Sequence, residues 1–292
     1  MADDEPRGPI VVSVAALTNV GMHRSVNEDA FALGEIGGAL AHTPSEACPT
    51  GEHTARITLA SGLVLGVYDG MGGGSSGDSA SRDAAHVVHT TLAEEPLPRT
   101  EDELRDRLSR AVGQANRAVF LAGQNDRRRL GSGTTATIAA LVDACAVIAQ
   151  AGDSRAYLLR GRRLVPVTRD DRLTAELVRQ ASPDVTEEQL ASLPTNVITK
   201  ALGMREDMDA SITRVILRRD DVLLLCSDGL WGLVSDPTIR AVLLRQRSPG
   251  AACRVLCEEA LRAGGADNVT IIVARFDGEG LRPPIRAETV VT

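Results

Sequence analysis

Four aspartates in this 292-residue chain stand at the same kind of place. Asp69 directly follows the apolar run Leu63–Tyr68, and Asp153 closely follows Ala144–Gln150. Asp228 comes two residues after Val222–Cys226, and Asp267 stands two residues before Val269. Runs so nearly continuous in apolar residues are expected to be strands buried on both faces. A carboxylate at the mouth of such a strand is carried toward the core and partly desolvated, and several anions gathered there raise one another's pKa. Divalent cations relieve that repulsion, and an oxygen-rich set poor in histidine selects Mg2+ or Mn2+ over Zn2+. Singly, Asp69-Gly70 and Asp228-Gly229 are ordinary turn dipeptides. What sets them apart is that neither opens a hairpin. After Asp69 the chain enters Gly70-Met71-Gly72-Gly73-Gly74 and then a helix; after Asp228 it runs through Leu230-Trp231-Gly232-Leu233 into another.

A fifth segment, Arg24-Ser25-Val26-Asn27-Glu28-Asp29, adds two adjacent acids with an arginine ahead of them. The guanidinium fork matches two phosphate oxygens, so Arg24 suits holding a phosphoryl group beside metals. Without the other motifs this stretch would read as a surface salt-bridge cluster. Gly72-x-Gly74-x-x-Gly77 imitates the dinucleotide-binding fingerprint. A second helix follows where a parallel strand should come, so the βαβ unit is missing, and no Gly-Lys-Ser/Thr makes a P-loop. His86 and His89, three apart on a helix, read as a solvated face. His23 reads as loop decoration, and Trp231, the only tryptophan, as a packing anchor behind Asp228.

The elements that must position these residues come in groups. Strands are expected at Ile10–Leu17, Asp29–Leu33 and Leu63–Tyr68, with 37–56 a surface loop rich in Gly, Thr, Pro and His. A helix from about Asp78 to Glu94 is followed by a second from Thr100, whose hydroxyl caps it while Glu103 reaches back. The stripe Leu104, Leu108, Ala111, Val112, Ala115, Val119 keeps helical period. Short strands at 134–141, 144–150, 156–159 and 163–167, separated by tight-turn signals, make an antiparallel meander. A polar helical stretch, 172–193, precedes strands at 211–217 and 222–226. Two helices then start near Asp236-Pro237 and Ser248-Pro249, the second ending at Gly264-Gly265, before a last strand at 269–276. The grouping is α+β: two antiparallel sheets stacked face to face with helix pairs outside, one domain over 10–277 between loose ends at 1–9 and 278–292.

Composition narrows the functions. With 32 Lys+Arg against 39 Asp+Glu the net charge is −7, the wrong sign for a protein whose affinity comes from neutralised nucleic-acid phosphates. No apolar run reaches the ~18–20 residues of a membrane span, and the acidic start, Met1 to Glu5, does not resemble a secretion signal. The five cysteines (48, 145, 226, 253, 257) form no Cys-x-x-Cys pair and read as reduced residues of a cytoplasmic protein.

Taken together, Arg24-Ser25-Val26-Asn27-Glu28-Asp29-Ala30, Val67-Tyr68-Asp69-Gly70-Met71-Gly72-Gly73, Gly131-Ser132-Gly133-Thr134-Thr135, Gly152-Asp153-Ser154-Arg155, Ser227-Asp228-Gly229-Leu230-Trp231 and Gly265-Ala266-Asp267-Asn268-Val269-Thr270 resemble, in order, the motifs of the PP2C-type metal-dependent Ser/Thr protein phosphatases. The resemblance covers about 15–276, and Met71, where animal members usually carry histidine, looks like the bacterial branch. It implies a four-layer α-β-β-α sandwich with two Mn2+ or Mg2+ ions at one end. On that resemblance Asp69 bridges the ions, the Gly70 carbonyl binds one of them, and Asp228 and Asp267 complete the other. Glu28 and Asp29 support the metal-bound waters, and Arg24 holds the phosphate. Asp153, with Asp228, holds a weaker third ion. A water shared by two metals then attacks phosphorus in line, with no phosphoenzyme and no cysteine involved.

The expected partners are phosphorylated proteins and a cognate Ser/Thr kinase, with no nucleic acid and no membrane, the chain being a monomer. Rival readings are a catalytically weak phosphoprotein-binding scaffold and a two-metal hydrolase of nucleotides. The sequence departs from the family pattern after Thr168-Arg169-Asp170, where Asp171 and Arg172 replace a usual histidine and serine. Gly232 stands where some animal relatives place an acid near the third ion. These departures put the third ion and the flap, roughly 171–196, in question.

Overall fold

The computed structural model describes residues 8–37, 40–42, 50–59, 61–72, 75–94, 96–180 and 197–284. Two antiparallel sheets form the centre. One has the order β10-β9-β12-β13-β1-β4, with β1 Val11–Asn19, β4 Thr50–Thr58, β9 Arg155–Arg160, β10 Arg163–Pro166, β12 Val222–Cys226 and β13 Val269–Asp277. The other has the order β11-β8-β7-β5-β2-β3, with β2 Asp29–Ile36, β3 Leu40–His42, β5 Gly62–Met71, β7 Ala136–Val142, β8 Cys145–Ala151 and β11 Ser211–Ile216; the two-residue β6, Gly133–Thr134, pairs with the end of β5. The helices are α1 Ser75–Glu94, α2 Glu101–Asn125, α3 Leu173–Gln180, the single turn α4 Asp228–Trp231, α5 Asp236–Arg245 and α6 Pro249–Arg262.

Period-two alternation explains why the central strands read as unbroken apolar runs. In β12, Leu223 and Leu225 enter the core between the sheets, while Val222, Leu224 and Cys226 face α5 and α6. In β7, Ala139 and Leu141 point inward, and Ile138 and Ala140 point to α1 and α2. Both faces are covered, so neither can be polar. The α2 stripe is buried as its period predicts. Thr100 caps the helix, its hydroxyl accepting from Glu103 N at 3.1 Å. The Glu103 carboxylate reaches back to Arg99 N, 2.7 Å away and one residue before the cap.

Three expectations need correction. The stretch 37–56 is not only loop: β3 lies in it, and β4 pairs with β1 over nine residues, Val11↔Thr58 to Asn19↔Thr50. β4 is a sheet edge, so it buries one face only, with Ala55 and Ile57 on the core, and its polar alternation hides it. The end beginning at 278 is anchored over its first residues. Leu281 is fully buried in the inter-sheet core, and Arg219 N donates to Arg282 O at 2.9 Å. His89 is buried, whereas His86 is exposed. Residues 285–292, Cys48 and the flap over 181–196 lie outside the described residues.

Candidate active site

The six acids reach one end of the sandwich because strand register and loop packing bring them there. Asp29 and Asp69 are direct partners across β2 and β5. Next to them the chain needs glycine: a Cβ on Gly70 would lie 2.2 Å from Gly77 O and 2.5 Å from Glu28 O, so the start of α1 and the Glu28 backbone close on it. Glu28 O accepts from Gly70 N at 3.2 Å and from Ser81 Oγ at 2.6 Å. On the other sheet, a Cβ on Gly229 would meet Asn268 O at 1.9 Å, so the Asp228-Gly229 turn presses directly on the Asp267-Asn268 turn. Asp153 follows β8 in the turn to β9, and Trp231 Nε1 donates to its carbonyl at 2.9 Å.

Two residues that received no separate role in the sequence reading tie these loops together. Asn268 accepts from Glu28 N at 2.8 Å and donates to Val20 O at 2.9 Å and Val26 O at 3.1 Å, tying the β1–β2 connection at three points to the Asp267-Asn268 turn. Ser227 Oγ donates to Asp29 Oδ2 at 2.7 Å and accepts from Thr270 N at 2.9 Å, linking the two sheets. Both lie in the motifs quoted above, which was the available signal. A third, Arg172, was noted only as a departure. Its Nε donates to Asp153 Oδ2 at 2.6 Å, and its Nη2 lies 3.1 Å from Asp228 Oδ2.

The electrostatics are those of crowded anions. Burial, then the charges of Asp29, Asp228, Asp153 and Asp267, all push Asp69 well above the carboxylate range. Burial raises Asp29 to about 7 against the hydrogen bonds of Ser227 and Thr270. Burial and then Asp153 and Asp267 raise Asp228 to about 6, with Arg172 and Arg24 opposing. Burial also raises Glu28 and Asp153, against Arg24 and Arg172 respectively. Among the described residues, Glu28 Oε1 and Asp153 Oδ1 are buried without a hydrogen-bond partner. Oxygens in this condition suit a hard divalent cation. Among the described residues, no three of the acids close into a ligand cage by themselves. Arg24 holds Asp267 at 2.7 Å in a pair whose side chains are 49% and 37% exposed, so its guanidinium stands at the solvent edge of the cluster.

A sequence model of the family described as Protein phosphatase 2C matches residues 53–191. The Listeria monocytogenes protein named serine/threonine phosphatase stp is 31% identical over 215 residues, 73% of this chain and 84% of that one. The S. agalactiae serine/threonine phosphatase structure superposes with a TM-score of 0.77 at 28% identity, covering 90% of this chain and 98% of that one. The catalytic domain of the serine/threonine phosphatase PstP, solved in complex with two manganese ions, has a TM-score of 0.72 at 29% identity over 92% of this chain and 99% of that one.

Proposed function

The chain belongs to the protein phosphatase 2C family and is a protein serine/threonine phosphatase, and from that premise we propose that it hydrolyses phosphoserine and phosphothreonine at two Mn2+ or Mg2+ ions held among Asp69, the Gly70 carbonyl, Asp228 and Asp267. The observation that carries this reading is the set of acids at one end of both sheets, each of Asp29, Asp69 and Asp228 destabilised as an anion by burial and then by the neighbouring carboxylates. Two ions bound there would supply a water of lowered pKa and neutralise charge on the phosphoryl group. Arg24 binds the phosphoryl oxygens, its half-exposed fork exchanging Asp267 for the substrate. Glu28 and Asp29 orient water beside the ions, Asp29 being fixed by Ser227. No side chain is required as a nucleophile.

The outer pair, Asp153 and Asp228, fits a third ion poorly, because Arg172 already bridges them. The substrates are phosphorylated proteins, so their source is a Ser/Thr kinase that this enzyme opposes. A cytoplasmic setting is supported by the buried thiols of Cys145, Cys226 and Cys257, which form no disulfide among the described residues. Among the described residues, no helix is long and apolar enough to cross a membrane.

The test is turnover. Protein stripped with chelator is assayed on a phosphothreonine peptide with and without added Mn2+. Activity that returns with Mn2+ and is lost in Asp69→Asn is expected. Tight peptide binding without turnover would instead make the chain a scaffold, and turnover of a nucleotide alone would reassign the substrate.

A further inference from the structure

Resting on the two-ion reading, we infer that the guanidinium of Arg172 takes the place of a third cation, so that this chain binds two ions and excludes another. Arg172 Nη2 lies 2.5 Å from Asp153 Oδ2 and 3.1 Å from Asp228 Oδ2, and Nε donates to the same Asp153 oxygen at 2.6 Å. One planar cation therefore joins the two carboxylates that a third ion would have to share. Asp153 and Arg172 have side chains 2% and 16% exposed, where solvent screens charge weakly. An ion entering beside them would meet a fixed positive charge and would have to break these bonds.

The slot is built for the arginine. The Trp231 ring lies under it, 4.5 Å from the guanidinium carbon, and the Trp231 indole donates to Asp153 O at 2.9 Å. Arg155 stacks on the same ring at 3.5 Å and is itself forked onto Asp170 at 2.8 and 2.7 Å. The backbone is clamped as well. Arg172 pairs with Ile198 in an antiparallel bridge, and Leu173 N donates to Val197 O at 2.9 Å. Asp171 N donates to Gly152 O at 2.8 Å, while Gly152 N donates to the Asp171 carboxylate at 3.1 Å. The excursion that leaves at 173 and returns at 197 is thus pinned at its base to the turn carrying Asp153.

A guanidinium differs from an ion in what it offers. It keeps its proton at any working pH and has no open coordination position, so it neutralises Asp153 and Asp228 without presenting an acidic water. Arg172 is accordingly a positioning residue, acting on the centre through Asp228.

Manganese bound per chain, measured by equilibrium dialysis up to millimolar Mn2+, tests this directly. Wild type is expected to saturate at two ions. Arg172→Ala should rise to three, and Arg172→Ala with Asp153→Asn should return to two. Arg172→Gln keeps a polar side chain in the slot without the charge and should also gain an ion, which covers the case in which the alanine variant folds poorly. Three ions in wild type, or a ceiling of two in both folded Arg172 variants, would overturn the inference and leave the two-ion centre standing. A wild type that takes up no manganese would instead remove the two-ion reading, and the inference with it.

Discussion

The two ends of one strand pair, β9 and β12, carry the same chemistry to opposite results. At the far end Asp221, fully buried, is saturated. Its Oδ1 accepts from Arg160 Nε at 3.0 Å, and its Oδ2 accepts from Arg160 Nη2 at 2.7 Å and from Arg218 N at 2.8 Å. Arg160 gives a further bond to Ile216 O at 2.6 Å. At the near end Asp153 and Asp228 share one arginine, Asp153 Oδ1 has no partner among the described residues, and the neighbouring Asp69 is surrounded by like charge. A carboxylate that serves the fold closes its own valences. One that awaits a ligand keeps them open, and the protein carries that cost in stability.

The largest effects should separate the two ends. Asp69→Asn is expected to lower Mn2+-dependent kcat on the order of 10³-fold or more. In chelator the same variant should melt no lower than wild type, because every large influence on Asp69 already disfavours its charge. Asp221→Asn should do the reverse. Leaving Arg160 buried without its partner costs about 3–5 kcal/mol, a fall in Tm on the order of 10 °C for a chain of this size. Its kcat per folded molecule should be unchanged. If Asp221→Asn instead lost activity at constant Tm, the contrast between the ends would fail. Calorimetry and peptide turnover on both variants decide it.

Arg24 sharpens the comparison from the solvent side. Its pair with Asp267 is exposed and worth at most about 1 kcal/mol to stability, so the guanidinium is free to be recruited. Arg24→Ala should therefore move Tm by no more than a few degrees while lowering kcat/KM by about 10- to 100-fold, the loss of a charged hydrogen bond to the phosphoryl group. A phosphothreonine peptide titration on the two proteins measures this. A large Tm change with unaltered kcat/KM would make Arg24 structural, like Arg160.

How much of this was legible follows from the range of the interactions. Asp69, Asp153, Asp228 and Asp267 could be placed because each adjoins an apolar run, which is local information. The fold was legible for the same reason wherever a strand buries both faces, and β4 was missed because an edge strand buries one. Arg172 could not be placed from spacing. Its partners lie 19 and 56 residues away, and the contact depends on the Asp171–Gly152 clamp that only the folded chain makes. Trp231 packs partly buried against the core cluster beneath α5 and α6, but its role as a platform for two arginines is again a long-range fact. His89 reads from the sequence as part of a solvated face with His86, since no third metal ligand lies near the pair; the helix turns it inward against Tyr68.

That misplaced histidine supplies the smallest prediction, one with a sign opposite to that of the site. His89 is 2% exposed, neither ring nitrogen has a hydrogen-bond partner among the described residues, and its ring meets that of Tyr68 edge-on at 6.5 Å. Burial lowers its pKa to about 3, below the ~6.5 of an unfolded chain. The unfolded chain therefore takes up this proton first, so His89 leaves stability intact above pH ~6.5 and erodes it as pH falls toward 3. The raised site acids behave oppositely in chelator. With Asp29 near 7 and Asp228 near 6, the folded chain holds those protons more tightly, and stability falls as pH rises from about 4 to 7. His89→Leu removes only the first trend. Denaturant unfolding in chelator at pH 7.5 and 5.5 should show the variant escaping about 1.4 kcal/mol of acid destabilisation that wild type suffers. Equal changes in both proteins would mean that the imidazole is not held neutral, and that this end of α1 is wetter than its packing against Tyr68 implies.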